Sequence, residues 1–409
     1  MSRPAGPANP DAVGSSPGDA SEPLRPEYGF LRVSLPRRGR RLPWSLAEGA
    51  VLDPERAATA RDTLCAWDGY AATPLVPLPG LARTLGVAEV WCKDESERFG
   101  IGSFKAVGGA YAVLRTLQDE VERRTGRRPG LQELLARAVP AVAEVTTVTA
   151  SAGNHGRSVA WGSERLGCRS VVFLPHDAAP ARAEAIRSHD AEVIRFDGGY
   201  DAAVEHAGRE AAARGWLVVS DTSYPGYEAV PRAVSEGYTL LAAELLSGLD
   251  AEGSEPPTHL FVQTGVGGLA TGVCGHLWWT LGSARPRFVA VEPLSADCFG
   301  RSLRAGRQVS VQGPFDTRMG GLASGVPSLI AWTLLRGCLD GALALPDGLV
   351  DEGVRVLESG ELGASIVTGP SGAAGVAALL GLTRLPGAAG LLDLAPDSRI
   401  IVFVTETRF

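Results

Sequence analysis

Lys93 and Lys105 are the only lysines in a chain of 409 residues whose lysines and arginines together number 39. Arginine is a fixed, always-charged fork, whereas lysine can give up its proton and attack a carbonyl carbon. A retained lysine is therefore a candidate for carbonyl–amine chemistry. The plainer reading is that both survive from a compositional bias. Lys105 closes Gly102-Ser-Phe-Lys105, just ahead of a helix-like run, and Lys93 sits in Trp91-Cys-Lys-Asp-Glu95.

Two glycine-rich stretches could hold anions. Gln263-Thr-Gly-Val-Gly-Gly-Leu-Ala270 follows a strand-like run and opens a helix-like one. Its glycines let backbone N–H groups converge on a phosphate, and the helix N-terminus adds positive potential. Gly265, Gly267 and Ala270, with Glu292 ending a later strand, also fit a dinucleotide fingerprint, so a nicotinamide-dependent dehydrogenase competes. A structural turn is the third reading. No Gly-Lys-Ser/Thr follows, which argues against a nucleotide triphosphatase. Thr149-Ala-Ser-Ala-Gly-Asn-His-Gly156 is a second strand-to-helix nest, suited to a carboxylate or a phosphate; its plain reading is a turn in which Ser151 caps the helix. Two anion nests and a rare lysine together fit pyridoxal phosphate. The lysine would form a Schiff base, and the pyridinium would be the electron sink for a Cα carbanion.

The elements that must position these residues alternate. Strand-like apolar runs are predicted at Glu89–Cys92, Val142–Thr149, Ser170–Leu174, Glu192–Phe196, Leu217–Ser220, His259–Gln263, Phe288–Val291 and Ile400–Val404. Helices are predicted at Phe104–Arg124, His155–Leu166, Asp201–Arg214, Tyr227–Leu246 and Gly268–Leu281. Continuous apolar strands alternating with helices imply an α/β fold with parallel sheets buried on both faces. The strands are too many for one small sheet, so two α/β domains are expected. Residues 1–26, rich in Pro, Gly, Ser and Ala, read as a disordered tail.

Composition narrows the function. The chain is 45% hydrophobic and 21% charged, with net charge −7, ordinary for a soluble domain and opposed to nucleic-acid binding. The six cysteines show no Cys-x-x-Cys pair and the six histidines no zinc-type spacing, so neither a disulfide framework nor a metal site is expected. No apolar run approaches the roughly 18 residues of a membrane span, and the start lacks an apolar signal core. A cytoplasmic protein is the expectation.

The motifs also carry a family resemblance. Gly-Ser-Phe-Lys105, Ser-Ala-Gly-Asn154-His-Gly and Gly265-Val-Gly-Gly-Leu resemble the fold-type-II pyridoxal-phosphate enzymes, the tryptophan synthase β and threonine dehydratase family. Lys93-Asp-Glu-Ser-x-Arg-Phe-Gly100, Gly-Asn-His-Gly-Arg-x-Val-Ala-Trp161, Asp221-Thr with Gly226-Tyr227, Val291-Glu-Pro with Ala296-Asp-Cys298, and Met319-Gly-Gly-Leu-Ala resemble its diaminopropionate ammonia-lyase branch, from about Tyr28 to the C-terminus. The resemblance implies two three-layer α/β domains with mostly parallel sheets: a large cofactor-binding domain from 27–127 and 226–409, and a smaller one inserted at 128–225. It implies Lys105 as the Schiff-base lysine, Asn154 on the ring hydroxyl, and Gly265, Val266, Gly267, Gly268 and Leu269 around the phosphate. Thr405 would face the pyridine nitrogen, although Thr405-Glu-Thr407 departs from the usual ending. Ser151, Ala152, Gly153, Asn154 and His155 would hold the substrate, His155 as a turn residue rather than an acid or base. Lys105 or Asp221 would be the Cα base, and Asp221 could instead hold a β-ammonium group; the plain reading of Asp221 is a structural residue at a strand end. Lys93 is expected in a structural ion pair.

Three departures matter. Ala152 stands where this branch usually has a second catalytic Asp, so one stereoisomer, the L form, is expected. Cys298 replaces an acid of the related racemase cation site, so no structural magnesium is expected. Ser324 replaces the cysteine that would pair with Cys298, so no disulfide is expected. The implied reaction is α,β-elimination from a small amino acid, L-2,3-diaminopropionate to pyruvate and ammonia, by a homodimer. A β-hydroxy amino acid dehydratase, a β-replacement synthase and a non-catalytic cofactor-binding relative stand as alternatives.

Overall fold

The computed structural model describes residues 31–36, 43–151, 153–176, 178–197, 200–385 and 387–408. The predicted tail at 1–26, and Ala152, lie outside the described residues. Eleven strands are described: β1 (Arg32–Ser34), β2 (Leu75–Pro77), β3 (Glu89–Asp94), β4 (Thr146–Ala150), β5 (Arg169–Pro175), β6 (Glu192–Phe196), β7 (Leu217–Val218), β8 (His259–Gln263), β9 (Arg287–Pro293), β10 (Leu339–Leu345) and β11 (Arg399–Val404). They form a seven-stranded sheet in the order β1-β10-β9-β8-β11-β3-β2 and a four-stranded sheet in the order β6-β5-β4-β7. In the larger sheet the edge strands β1 and β2 are antiparallel to their neighbours and the inner strands are parallel. The smaller sheet is parallel throughout.

Successive residues on a strand point to opposite faces, and here both faces are buried. Leu260 and Val262 of β8 and Ile401 and Phe403 of β11 join one core, with the helices Lys105–Thr125, Ala229–Ala251 and Gly268–Leu281. Phe261, Ile400, Val402 and Val404 join the opposite core, with Asp347–Ser359 and Pro370–Thr383. The smaller sheet repeats this. Val148, Val171 and Phe173 pack on Ala203, Ala207 and Ala211, while Val172 and Leu174 pack on Ala160, Ala183 and Ile186. Both sheets are therefore the centres of three-layer α/β sandwiches, which is the fold-type-II architecture. The helix Lys105–Thr125 packs against both Asn154–Leu166 and Ala229–Ala251, so it joins the two.

Local details differ from the sequence-based expectations. The run Val142–Thr149 is not one strand. Pro140 opens a 3-10 turn through Glu144, and β4 begins at Thr146. The helix expected from Tyr227 begins at Ala229 and runs to Ala251. Tyr227 instead turns back, its hydroxyl donating to Val218 O at 2.9 Å and accepting from Ser220 N at 3.0 Å. β7 ends at Val218 rather than Ser220. Among the described residues, no helix is long and apolar enough to cross a membrane.

Candidate active site

Parallel sheets present the loops after their strands' carboxyl ends to ligands. In this chain those loops carry the chemistry. β3 leads to Lys105, β4 to Ser151 and Gly153–His155, β7 to Asp221, β8 to Gly265–Leu269, and β11 to Thr405 and Glu406. All of them line one cavity of about 1470 Å³ between the two sheets.

Lys105 is the first residue of its helix, and its Nζ donates to Asp221 Oδ2 at 2.8 Å. The Ser158 hydroxyl donates to Lys105 O at 2.5 Å, which fixes the helix start. Gly109 makes room for this contact, because a Cβ there would lie 2.2 Å from Ser158 Oγ. Burial pushes the Asp221 carboxyl up, but charged Lys105 and then His155 pull it the other way, leaving it well below the usual carboxylate range. His155 is 3% exposed. Burial lowers its pKa against the pull of Asp221, so the ring is neutral at pH 7. Its Nε2 lies 2.9 Å from Val219 O and therefore carries the proton, while Nδ1 lies 3.8 Å from Asp221 Oδ2.

The nest after β4 is divided between turn and ligand. Ser151 Oγ accepts from the N–H groups of Gly153 at 3.0 Å and Gly156 at 2.9 Å. The hydroxyl therefore caps its own helix, as the plain reading had it. The first-turn N–H groups of Asn154 and His155 are the donors left for an anion. The loop after β8 opens the helix Gly268–Leu281 with Gly267 at φ +100°, a conformation that favours glycine. A Cβ on Gly267 would lie 2.6 Å from Phe299 and 2.7 Å from Ala331. Backbone therefore faces the cavity, and a phosphate fits this cradle. Thr405 lines the cavity, and its carbonyl accepts from Phe104 N at 3.1 Å and from Ser103 Oγ at 3.3 Å. That ties the strand end to the segment that presents Lys105.

Lys93 stands apart from the cavity. Its Nζ is 2.7 Å from Glu244 and 3.5 Å from Glu95, and Arg98 bonds both acids. The ion-pair partners are thus Glu244 and Glu95, and Glu244 was not foreseen. Sequence reasoning gave no site role to the cavity residues Glu406, Arg182, Tyr238 and Ser371, nor to the facing loop Gly320–Gly325, of which it matched Met319-Gly-Gly-Leu-Ala323 only as a motif. An acid directly after the last strand was the available signal for Glu406. Arg182 had none, being one arginine among many on an ordinary surface helix.

The chain matches the family "Pyridoxal-phosphate dependent enzyme" over residues 66–406. It is 36% identical over 344 residues to the diaminopropionate ammonia-lyase of Salmonella typhimurium, covering 82% of this chain and 85% of that one. It is 31% identical over 374 residues to a probable D-serine dehydratase of Pseudomonas aeruginosa, covering 87% of this chain and 77% of that one. Among solved structures it superposes on Escherichia coli diaminopropionate ammonia-lyase in complex with an aminoacrylate–pyridoxal phosphate azomethine intermediate. The TM-score is 0.82 at 31% identity, covering 94% of this chain and 95% of that one. A lysine facing a carboxylate, between a phosphate cradle and a second nest of N–H donors, is the setting that cofactor requires, and the chain belongs to the pyridoxal-phosphate dependent enzyme family.

Proposed function

We propose that this protein is an α,β-eliminating ammonia-lyase that converts L-2,3-diaminopropionate and water to pyruvate and two molecules of ammonia. The observation that carries the reading is the 2.8 Å Lys105–Asp221 pair inside the cavity that the two nests share. The likeness to the Salmonella lyase over most of both chains supports the choice of substrate.

In this reading Lys105 anchors pyridoxal phosphate covalently, Gly265–Leu269 hold its phosphate, Asn154 meets its ring hydroxyl and Thr405 its ring nitrogen. Bound there, the cofactor supplies an electron-accepting ring that acidifies the substrate's Cα proton. The N–H groups of Asn154 and His155 hold the α-carboxylate and so orient Cα. Asp221 removes the Cα proton. Its carboxyl is depressed in the resting protein by Lys105. Were the Lys105 amine neutral, it would no longer hold the carboxyl down, and burial would make Asp221 a stronger base. His155, neutral and fixed to Val219 O, flanks Asp221 without competing for the proton. The 3-ammonium group leaves as ammonia, and hydrolysis of the resulting enamine releases the second ammonia and pyruvate.

The test is 2-oxo acid release at fixed enzyme concentration from L- and D-2,3-diaminopropionate, L- and D-serine, and L-threonine. The highest kcat/KM is expected with L-2,3-diaminopropionate. A higher value with a β-hydroxy amino acid would make the protein a dehydratase. We further propose a homodimer in the cytoplasm, where the six free cysteines suit a reducing compartment; light scattering measures the assembly.

A further inference from the structure

The proposed mechanism leaves one buried acid of the cavity without a role. Glu406 follows Thr405, is 6% exposed, and lines the same wall. Its Oε2 accepts from Asn154 Nδ2 at 2.5 Å. Its Oε1 lies against Gly369, where a Cβ would come within 2.6 Å. The Ser371 N–H also serves this carboxylate. The charged groups facing it are Arg182, from the helix Pro180–Arg187, and Lys105. Burial pushes its carboxyl up; Arg182 and the Asn154 bond oppose this. Asn154 Oδ1, by contrast, is buried without a hydrogen-bond partner among the described residues.

The two ends of an asparagine amide are nearly the same shape but opposite in hydrogen bonding, so neighbours decide which end meets a ligand. A carboxylate accepts only, and it therefore selects the NH₂ end. One N–H of Asn154 is engaged by Glu406, and the second remains on the same nitrogen. We propose that Glu406 is a positioning residue that orients the Asn154 amide to donate to, rather than accept from, the hydroxyl oxygen of the bound cofactor ring. The proposal rests on reading this cavity as the cofactor site, and it is independent of which amino acid is the substrate. A donor at that oxygen favours its deprotonated form, and an acceptor favours the protonated form. The deprotonated form absorbs at longer wavelength, so the amide's orientation is readable in the chromophore.

The experiment is the absorbance spectrum of the purified holoenzyme at fixed pH, without substrate. Glu406→Ala releases Asn154 to turn over. The ratio of the long- to the short-wavelength band is expected to fall roughly tenfold, the weight of about one charge-assisted hydrogen bond. Glu406→Gln offers Asn154 a donor as well as an acceptor, so it no longer selects the NH₂ end, and the ratio is expected to fall to a value between those of the parent and Glu406→Ala. Asn154→Ala should reproduce the Glu406→Ala spectrum, and the double variant should add nothing further, as coupled residues require. An unchanged Glu406→Ala spectrum, or a Glu406→Gln ratio equal to that of the parent, overturns the proposal. Should Glu406→Ala fail to fold, the other two variants decide, and an unchanged Asn154→Ala spectrum overturns it equally. The substrate assay plays no part in this readout, so failure of either reading is seen separately.

Discussion

Lys105 Nζ and Asp221 Oδ2 stand 2.8 Å apart, with side chains only 19% and 10% exposed. The pair couples the proposed covalent anchor to the proposed base. Asp221→Asn keeps the shape and a hydrogen-bonding group but removes the base. Turnover of L-2,3-diaminopropionate is expected to fall by about 10²–10⁴, while the cofactor stays bound and visible. Lys105→Ala should abolish covalent attachment. Borohydride reduction and peptide mapping check this cleanly, because Lys93 is buried and ion-paired. Label on Lys93, or full turnover by Asp221→Asn, would overturn the assignment.

Behind the cavity, Glu244 and Glu95 share Lys93 and Arg98, and Thr73 bonds into the same group. All four charges are buried. Removing one acid strands a cation in low dielectric, which costs about 3–5 kcal/mol. Glu244→Ala should lower the urea unfolding midpoint accordingly. Glu95 N donates to Val404 O at 2.8 Å, so this cluster also anchors the segment that leads to Lys105. A midpoint shift of only a surface ion pair's size, below about 1 kcal/mol, would count against this account.

Much of this was legible from sequence, for physical reasons. β8 and β11 read as unbroken apolar runs because both faces of the sheet are covered. Lys105 stood out by scarcity and by its place before a helix. β10 did not, because its apolar residues are all Leu and Ala, which favour helix over strand, and its pairing with β9 overrides that preference. The helix Pro370–Thr383 was missed because it is buried all round and has no polar face to set a period. Ser151 shows the limit of motif reading. Its motif marks a nest, but only the fold reveals that its hydroxyl is taken up by Gly153 and Gly156.

Gly267 gives a direct test of the phosphate cradle. Alanine there must adopt φ +100° and meet Phe299 and Ala331 at under 3 Å. Strain of about 1–3 kcal/mol is expected, felt where the backbone faces the phosphate. Equilibrium dialysis should show Gly267→Ala binding pyridoxal phosphate about tenfold or more weakly. Unaltered affinity would move the phosphate elsewhere.

Glu292 sets a pH dependence of stability. It accepts from Phe299 N at 2.7 Å and Gly300 N at 2.8 Å, yet burial pushes its carboxyl up to about 8. Unfolded, it returns to about 4.3. Between those values the folded state holds the extra proton, so stability falls as pH rises and levels off above about 8. Glu292→Gln mimics the protonated form and escapes this loss. The difference in urea midpoint should therefore move in the variant's favour from about pH 5 to about pH 8. A difference that does not change with pH would sink the argument.

Stereochemistry tests the sequence at a position outside the described residues. The resemblance implies an acid where this chain has Ala152, and alanine cannot move a proton. Asp221 then acts on one face of the substrate alone, so L-2,3-diaminopropionate should be turned over and the D isomer left. Introducing a carboxylate with Ala152→Asp should restore a base on the other face and confer turnover of the D isomer, with Asp221 still serving the L isomer. The check is 2-oxo acid release from each isomer by the parent, Ala152→Asp and Asp221→Asn. Comparable D and L rates in the parent would show that a single base face is the wrong description. Loss of both activities in Asp221→Asn with Ala152→Asp present would show that Asp221 serves the binding of either isomer, and not the proton of one.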